Sequence, residues 1–335
     1  STLAFGKKFT DHMAHMRWTR EGGWDDRGVI PYGPLELTPG ASVFHYCQSV
    51  FEGIKAYKRE DGSVWTFRPG YNAARLNHSA RRLALPELSR EDFVASLVDY
   101  VRADVKWVPE VDGSSLYLRP FMFASEEFVG VHPAGVVDYY VIGSPSGPYF
   151  KGGLSGVAIW VEREYHRAGP GGTGSAKAGG NYAASLLPQI QAEAKGFSQV
   201  CFLDTYEGKY LEELGGMNMF VVMADGTIRT PELTGVILEG GTRSAILRML
   251  RDQGVDVREE KIALSEVVDG IRSGAVAEVF ACGTAAVVTP ITRLGGDDFD
   301  VEIEVGDKTR EIHKRLTDIQ WGRAEDPYGW TYRLV

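Results

Sequence analysis

Residues 54–67 have the sequence Ile-Lys-Ala-Tyr-Lys-Arg-Glu-Asp-Gly-Ser-Val-Trp-Thr-Phe. Alternating apolar and polar residues on both sides of the pair Asp61-Gly62 are typical of two antiparallel strands joined by a tight turn. Helices and further strands flank this hairpin without the regular strand-helix rhythm of a doubly wound sheet. The sequence therefore predicts an α+β fold rather than a Rossmann fold.

The other elements are predicted from the spacing of apolar residues. We expect helices over 72–85, 89–107, 181–195, 242–253 and 308–320. Ser89 and Asp92 form a capping box that begins the second of these helices. We expect strands over 114–125, 136–142 and 157–162, followed beyond the helix 181–195 by three short strands with hairpin turns. The tail after the last helix is predicted to be irregular.

The stretch from Gly143 to Gly153 is rich in Gly, Pro and Ser and lies near the middle of the chain. It predicts a connection between two domains. We place a small N-terminal domain at 1–145, an interdomain loop at 146–156 and a larger C-terminal domain at 157–335.

Composition and charge exclude several classes of protein. The chain has 335 residues, 44% hydrophobic and 24% charged, which is typical of globular proteins with a large core. Its 36 Lys and Arg against 45 Asp and Glu give a net charge of −9, the wrong sign for coating nucleic acid or anionic lipid. The sequence shows no membrane-length apolar run and no signal-peptide core, so we expect a cytoplasmic protein.

Metal sites and disulfides are not indicated either. Cys47, Cys201 and Cys282 form no CxxC pair and are odd in number, so we expect small buried residues. His12 and His15 lie three apart, compatible with one face of a helix, but no carboxylate or cysteine ligand accompanies them at metal-site spacing. We expect no metal and a structural role for both histidines.

The glycine-rich stretch from Gly169 to Lys177 invites comparison with a phosphate-binding loop. The test fails because Ser175 and Ala176 separate Gly174 from Lys177, and Ala178 stands where a magnesium-binding hydroxyl is required. A lysine between small residues remains. It is either a solvated loop residue or an enclosed lysine whose lowered pKa makes its amine nucleophilic.

Several motifs together resemble the branched-chain amino acid aminotransferases, a bacterial-type class IV family of pyridoxal phosphate enzymes. They are Phe5-Gly-Lys-Lys-Phe-Thr-Asp-His-Met, Phe51-Glu-Gly-Ile-Lys-Ala, Phe67-Arg-Pro, Leu116-Tyr-Leu-Arg-Pro, Lys177-Ala-Gly-Gly-Asn-Tyr and Thr317-Asp-Ile-Gln-Trp-Gly. The resemblance covers nearly the whole chain. It implies fold type IV, like that of D-amino acid aminotransferases, with the cofactor between two α/β domains, and a homodimer.

The activity implied by the resemblance is transamination in branched-chain amino acid metabolism. The amino group would move between leucine, isoleucine or valine and 2-oxoglutarate, giving branched 2-oxo acids and glutamate. Pyridoxal 5'-phosphate would be held as a Schiff base on Lys177, the catalytic residue.

The resemblance also assigns cofactor contacts. Glu213 matches the carboxylate that keeps the pyridine nitrogen protonated, and its neighbour Glu212 would point away because successive strand residues face opposite sides. Tyr182 matches the residue that forms a hydrogen bond with the phenolic oxygen of the cofactor ring. The phosphate would lie at the helix start at Gly241 and Thr242, where backbone N–H groups favour anions, although Thr242 alone is also explained as a helix cap. The further cofactor contacts implied by the resemblance are Arg75, Arg167 and Thr284.

The substrate pocket implied by the resemblance is aromatic and aliphatic with one polar corner. Thr284 and Ala285 also belong to the implied substrate site. The other matching positions are Phe5, Phe51, Tyr46, Tyr117, Tyr149, Val129 and Val131, with Tyr46, Val129 and Val131 coming from the partner subunit. Arg119 lies in an apolar strand pattern, so it should pair with a carboxylate of the protein or of the substrate.

Three other functions remain to be weighed. A D-amino acid aminotransferase or an aminodeoxychorismate lyase would share the fold but lack the combination of Phe51-Glu-Gly-Ile-Lys and Tyr117-Leu-Arg-Pro. A non-catalytic phosphate- or nucleotide-binding module would use the two glycine-rich loops and be colourless. The chain departs from vertebrate relatives at Ala286-Val-Val-Thr289, where a CxxC thiol switch would stand, and at Gly216, where they carry threonine.

Overall fold

The computed structural model describes residues 5–148 and 154–335. The described residues fall into two compact units. Unit 1 contains 5–148, 176–179 and 318–335, and unit 2 contains 154–175 and 180–317. Residues 318–335 were predicted to lie in the C-terminal domain, but they belong to unit 1 because their strand pairs with a strand of the N-terminal sheet.

Eighteen strands lie in the described parts of the chain. They are β1 (His12–Thr19), β2 (Gly23–Trp24), β3 (Gly28–Pro31), β4 (Ser49–Phe51), β5 (Ile54–Lys58), β6 (Val64–Phe67), β7 (Ser115–Ala124), β8 (Val136–Ser146), β9 (Val157–Glu162), β10 (Gln199–Leu203), β11 (Leu211–Leu214), β12 (Asn218–Met223), β13 (Ile228–Pro231), β14 (Val257–Glu260), β15 (Val276–Gly283), β16 (Val287–Gly295), β17 (Asp300–Glu302) and β18 (Thr331–Arg333).

The same ranges hold eight α-helices, with a short 3-10 turn at Val105–Trp107. The helices are α1 (Val43–Tyr46), α2 (Pro69–Arg82), α3 (Arg90–Ala103), α4 (Gly179–Ala183), α5 (Leu186–Ala194), α6 (Gly241–Asp252), α7 (Leu264–Ser273) and α8 (Asp307–Gln320). No helix in the described ranges is long and apolar enough to span a bilayer.

Unit 1 is built on one nine-stranded antiparallel sheet. Its order is β18-β6-β5-β7-β8-β1-β2, with β3 paired to β1 and β4 paired to β7. The β5–β6 hairpin around Gly62 confirms the sequence prediction, and Gly62 has the positive φ of 82° that the turn requires. Helices α2 and α3 bury Leu76 and Leu97 in the core of this unit. The Ser89 cap is also confirmed, because its Oγ accepts the N–H of Asp92 at 3.0 Å.

Unit 2 contains a second nine-stranded sheet, of mixed direction. Its order is β11-β10-β9-β16-β15-β12-β13-β14, with β17 paired to β16. The pairs β9–β10, β9–β16 and β13–β14 are parallel and the others antiparallel. Ile159, Cys201 and Leu214 are fully or almost fully buried in the core of this unit. The two sheets and their irregularly placed helices make this an α+β fold.

Several sequence predictions need correction. Cys47, expected to be buried, is exposed, whereas Cys201 and Cys282 are buried as expected. The helix over 181–195 is two helices, α4 and α5, because the chain turns at Ser185, whose hydroxyl donates to the carbonyl of Tyr182 at 2.7 Å. The long helix from Ser89 ends at Ala103 and continues only as a 3-10 turn. The tail is not wholly irregular, since it supplies β18.

The two N-terminal histidines lie on strand β1 rather than on a helix. His12 pairs with the buried carboxylate of Asp104 at 2.7 Å, and His15 with that of Asp138 at 2.6 Å. Both therefore have structural partners. In residues 5–148 and 154–335 no group of three His, Cys, Asp or Glu is arranged to hold a metal ion.

Candidate active site

Lys177 lies in a short segment that packs against β4 within unit 1. Its backbone N–H donates to the hydroxyl of Ser79 at 2.8 Å, and its carbonyl accepts the N–H of Phe51 at 3.0 Å. The adjacent residues Ala176 and Ala178 are buried in the core of the unit, and Ala178 forms an isolated bridge with Val50. The small neighbours of Lys177 are therefore packing residues that fix its backbone.

The Lys177 side chain lies among aromatic and charged groups. Its Nζ is 4.7 Å from the ring centre of Phe51. Burial, reinforced by the positive charges of Arg75 and Arg119, lowers the pKa of Lys177 from 10.5 to about 8. Roughly a tenth of the amine is then unprotonated at pH 7, against less than a thousandth for an ordinary lysine. Of the two interpretations of this lysine, the enclosed one fits.

Arg75, expected at the cofactor phosphate, is held by a buried carboxylate. Its Nε and one terminal nitrogen donate to the two oxygens of Glu52, both at 2.8 Å. Glu52 is fully buried and also accepts a hydrogen bond from the Nδ2 of Asn72 at 2.8 Å. This pairing fixes the guanidinium on α2. Contact of Arg75 with a phosphate stays a prediction.

Arg119 has no carboxylate partner among the residues that the structure describes. One terminal nitrogen donates to the hydroxyl of Tyr117 at 3.1 Å, and the guanidinium lies 4.5 Å from the ring centre of Phe51. Its Nε is buried without a hydrogen-bond partner. The carboxylate partner predicted for Arg119, from the protein or from a substrate, stays a prediction.

The Tyr117 ring is positioned by its neighbours. Phe5 packs against it edge to face, with ring centres 4.8 Å apart. Gly53 leaves room for its hydroxyl, because a Cβ at that position would lie 2.1 Å from the Oη. The glycine of Phe51-Glu-Gly is therefore required by close packing.

Other predicted substrate residues lie on the surface of the single chain. Tyr46, Val129 and Val131 have exposed fractions of 43%, 68% and 85%. The Tyr46 hydroxyl donates to the carbonyl of Val129. Tyr149 lies outside the described residues.

Unit 2 carries the other residues predicted to contact the cofactor ring and phosphate. Glu213 on β11 is almost fully buried, and its Oε1 lies 3.1 Å from a terminal nitrogen of Arg167 and accepts the N–H of Leu238 at 2.6 Å. Arg167 also donates to the carbonyls of Gly174 and Val236, at 3.1 and 2.8 Å. The cation of Arg167 stabilises negative charge on Glu213.

The loop 236–240 leads into α6 and is fixed at several points. Asn218 donates to the carbonyl of Leu238 at 3.1 Å, and its Oδ1 lies so near Gly240 that a Cβ there would be 2.0 Å away. The loop therefore delivers Gly241 and Thr242 to a defined helix N-terminus, where backbone N–H groups point away from the helix.

Tyr182 and the pair Thr284-Ala285 are half-buried. Tyr182 lies on α4, and Thr284 and Ala285 form the turn between β15 and β16. The turn is followed by Val287 with a φ of 61°, which is unusual for a β-branched residue and marks a constrained backbone.

The structure thus groups the predicted residues within each unit. In unit 1 Phe5, Phe51, Arg75, Tyr117, Arg119 and Lys177 form one connected cluster. In unit 2 Arg167 and Glu213 are in contact and bind the loop that begins α6. Four residues of the site were not predicted from the sequence: Glu52, Asn72, Ser79 and Asn218. Glu52 had a signal, since it is a charged residue between apolar neighbours in Phe51-Glu-Gly-Ile-Lys-Ala.

Comparisons with known proteins identify the family of the chain. The family model for Amino-transferase class IV matches residues 49–294. A branched-chain-amino-acid aminotransferase of Mycolicibacterium smegmatis is 49% identical, with 98% of this chain and 92% of that protein aligned.

Solved structures give the same result. The branched-chain amino acid aminotransferase of Escherichia coli superimposes with a TM-score of 0.80 at 28% identity, covering 97% of this chain and all of the other. A T.th. enzyme of that name, complexed with N-(5'-phosphopyridoxyl)-L-glutamate, gives a TM-score of 0.76 at 26% identity, covering 96% and 98%. The chain therefore belongs to the class IV aminotransferases, as a member of the branched-chain-amino-acid aminotransferase family.

Proposed function

We propose that the chain transfers the amino group between leucine, isoleucine or valine and 2-oxoglutarate, with pyridoxal 5'-phosphate attached to Nζ of Lys177. The observation that carries this proposal is the enclosed amine of Lys177, with its pKa near 8, among Phe51, Arg75 and Arg119. An amine that is partly unprotonated at neutral pH can attack a carbonyl carbon. The names of the Mycolicibacterium smegmatis and Escherichia coli proteins support the branched-chain substrates.

The residues present fit the cofactor. Gly174 and Gly240 lack side chains where a Cβ would meet backbone or side-chain oxygens, so their backbones pack closely around the loop that begins α6. The first turn of α6, the hydroxyls of Thr242 and Thr284 and the guanidinium of Arg75 would bind the phosphate. Tyr182 would donate to the phenolic oxygen. The phosphopyridoxyl group in the T.th. complex supports the same cofactor class.

The chain's own groups have separate tasks in the reaction. The cofactor, when bound, supplies an electron-withdrawing ring and the carbonyl carbon that takes up the amino group. Glu213, paired with Arg167, would hold a proton on the ring nitrogen. Lys177 Nζ, once free, would carry the proton removed from the α-carbon of the substrate.

The branched-chain substrates differ from glutamate and 2-oxoglutarate in lacking a side-chain carboxylate, so the proposed pocket must accept both kinds. The apolar walls would come from Phe5, Phe51, Tyr117 and Tyr149, with Tyr46, Val129 and Val131 of a partner subunit in a homodimer. The exposure of the last three in the single chain supports their use by a partner. Thr284 and Ala285 would bind the carboxylate shared by all substrates. Arg119, whose buried Nε has no hydrogen-bond partner among the described residues, would bind the side-chain carboxylate of glutamate or 2-oxoglutarate.

The attachment point is tested by borohydride reduction of the purified protein followed by peptide mass analysis. The mass of the reduced cofactor should appear on the peptide containing Lys177. A label on Lys195 or Lys209 instead would refute the proposal.

The role of Arg119 is tested by single-turnover kinetics of Arg119→Met. Loss of a charge-assisted hydrogen bond, about 1.5–3 kcal/mol, should lower kcat/KM for 2-oxoglutarate about ten- to a hundredfold. It should leave kcat/KM for leucine unchanged. Tyr117→Phe separates charge from positioning, because it keeps the charge of Arg119 and removes the hydroxyl that holds it; the loss specific to 2-oxoglutarate should be smaller than in Arg119→Met. Equal losses with leucine and 2-oxoglutarate would show that Arg119 binds the shared carboxylate or only orders the pocket.

A further inference from the structure

Unit 2 contains a cavity of about 500 Å³ that the proposed transamination does not use. Its walls come from the loop after β10, from β11 and from the segment 231–237. Tyr206, Tyr210, Leu211, Val236 and Ile237 form the apolar part of its lining. Small-molecule sites in proteins have volumes of about 300–1,000 Å³ and mostly apolar walls with a few polar groups.

Glu212 supplies the polar group. It is 8% exposed, lines the cavity, and makes no hydrogen bond or ion pair with any residue that the structure describes. Its neighbour on β11, Glu213, faces the other way and is bound by Arg167 and Leu238. Burial, together with the charges of Asp204 and Glu213, raises the pKa of Glu212 to about 7. A largely buried carboxylate that faces a cavity and has no protein partner can be compensated by a cationic ligand.

The other charged residues of the lining determine the sign of the charge that a ligand can carry. Asp204, Glu207 and Glu232 are acidic, and Lys261 is the basic residue of the lining. Asp204 already accepts three backbone N–H bonds, from Glu207, Lys209 and Tyr210 at 2.7–2.8 Å. Lys261 is exposed and lies 5.2 Å from the Tyr210 ring centre rather than against a carboxylate of the cavity. The lining therefore repels anions and leaves Glu212 to bind a cation.

We propose that this cavity binds a small organic cation, an amidinium or ammonium group on a compact apolar body, with the charge against Glu212. The apolar body contacts Val236 and Ile237, and the aromatic faces of Tyr206 and Tyr210 favour a cation further. A bare metal ion does not fit, since no group of three metal-ligating side chains is present in the described residues. The site is separate from the proposed catalysis because Glu212 and Glu213 face opposite sides of β11.

The test uses benzamidine with the holoenzyme. Its amidinium can bind a carboxylate with two parallel hydrogen bonds, and unlike a primary amine it does not enter transamination. Calorimetric titration should show saturable binding of benzamidine. The uncharged analogue benzamide has nearly the same shape and should bind at least tenfold more weakly.

Two variants locate the site. Glu212→Gln should weaken benzamidine binding at least tenfold, whereas Glu164→Gln, an exposed acid outside the lining, should not change it. Thr234→Trp fills the cavity from an exposed lining position, so it should abolish binding even if Glu212→Gln folds poorly.

Three results would overturn the proposal. They are equal affinity for benzamidine and benzamide, unchanged affinity in either Glu212→Gln or Thr234→Trp, and no binding of benzamidine at about 10 mM, a concentration that detects even millimolar affinity. Because binding is read by heat and not by turnover, these results are independent of the proposed transamination.

Discussion

Replacing Lys177 with Met should stabilise the protein from which the cofactor has been removed. Met has a similar length and no charge, so it retains the packing against Phe51 and removes an enclosed ammonium group. Active-site residues commonly lower stability in this way, because they are selected for reactivity.

The size of the effect follows from the pKa of Lys177. Its fall from 10.5 to about 8 means that the folded protein binds the lysine proton less tightly than the unfolded chain. At pH 7 this difference of about 2.5 units corresponds to about 3 kcal/mol of destabilisation in the wild-type protein. The destabilisation is full below pH 8, decreases as pH rises from 8 to 10.5, and is absent above that range.

The assay is denaturant unfolding of wild-type and Lys177→Met protein without cofactor, at about pH 7 and about pH 10.5. The variant should be more stable by about 3 kcal/mol at the lower pH, and the gap should close at the higher pH. Other groups titrate equally in both proteins and cancel in the difference. Lys7→Met, at an exposed position of the same unit, is the matched control and should change stability little at either pH. A variant that is less stable at pH 7, or a gap independent of pH, would refute the reasoning.

Three further outcomes are expected. Glu213→Gln should retain the cofactor but lower kcat, measured by steady-state kinetics, about a hundredfold or more, because an amide cannot hold the ring proton. If Glu213→Gln leaves kcat unchanged and Glu212→Gln lowers it strongly, the roles of the two residues are reversed. Gly53→Ala should displace the Tyr117 hydroxyl and with it Arg119, lowering kcat/KM for 2-oxoglutarate about tenfold, whereas Gly28→Ala, with open space around its Cβ, should have no effect. Ser89→Ala should lower the free energy of unfolding by about 1 kcal/mol through loss of the α3 cap, and an unchanged denaturation midpoint would contradict it.

Local sequence patterns predicted local structure well. The β5–β6 hairpin, the Ser89 cap and strand β9 follow from residues near one another in the chain. Pairing over long distances in the sequence was not predicted. Strand β18 is formed by Thr331–Arg333. This segment is too short to show the alternation of apolar and polar residues that marks a strand, and its partner β6 lies far away in the sequence.

The candidate site shows the same difference between local features, which were predicted, and long-range contacts, which were not. The alternation of side chains along a strand correctly predicted that Glu212 and Glu213 face opposite sides of β11. This rule depends only on adjacent residues. The partners of those side chains were not predicted: Glu52 for Arg75, Ser79 for the backbone of Lys177, and Asn218 for the loop before α6. Each of these contacts joins separate elements, so no spacing within one element reveals it.

The bridge between Val50 and Ala178 has a consequence for how the chain folds. It joins residues roughly 130 positions apart, and it places the segment 176–179 in unit 1 although the residues before and after it belong to unit 2. Closing so long a loop is entropically unfavourable until β4 and β7 are already paired. We expect Lys177 to acquire its surroundings late in folding, after the hydrophobic core of unit 1. A fragment ending before residue 176 would lack the lysine altogether, so separately expressed units should show the proposed cofactor attachment only if this segment is carried with β4.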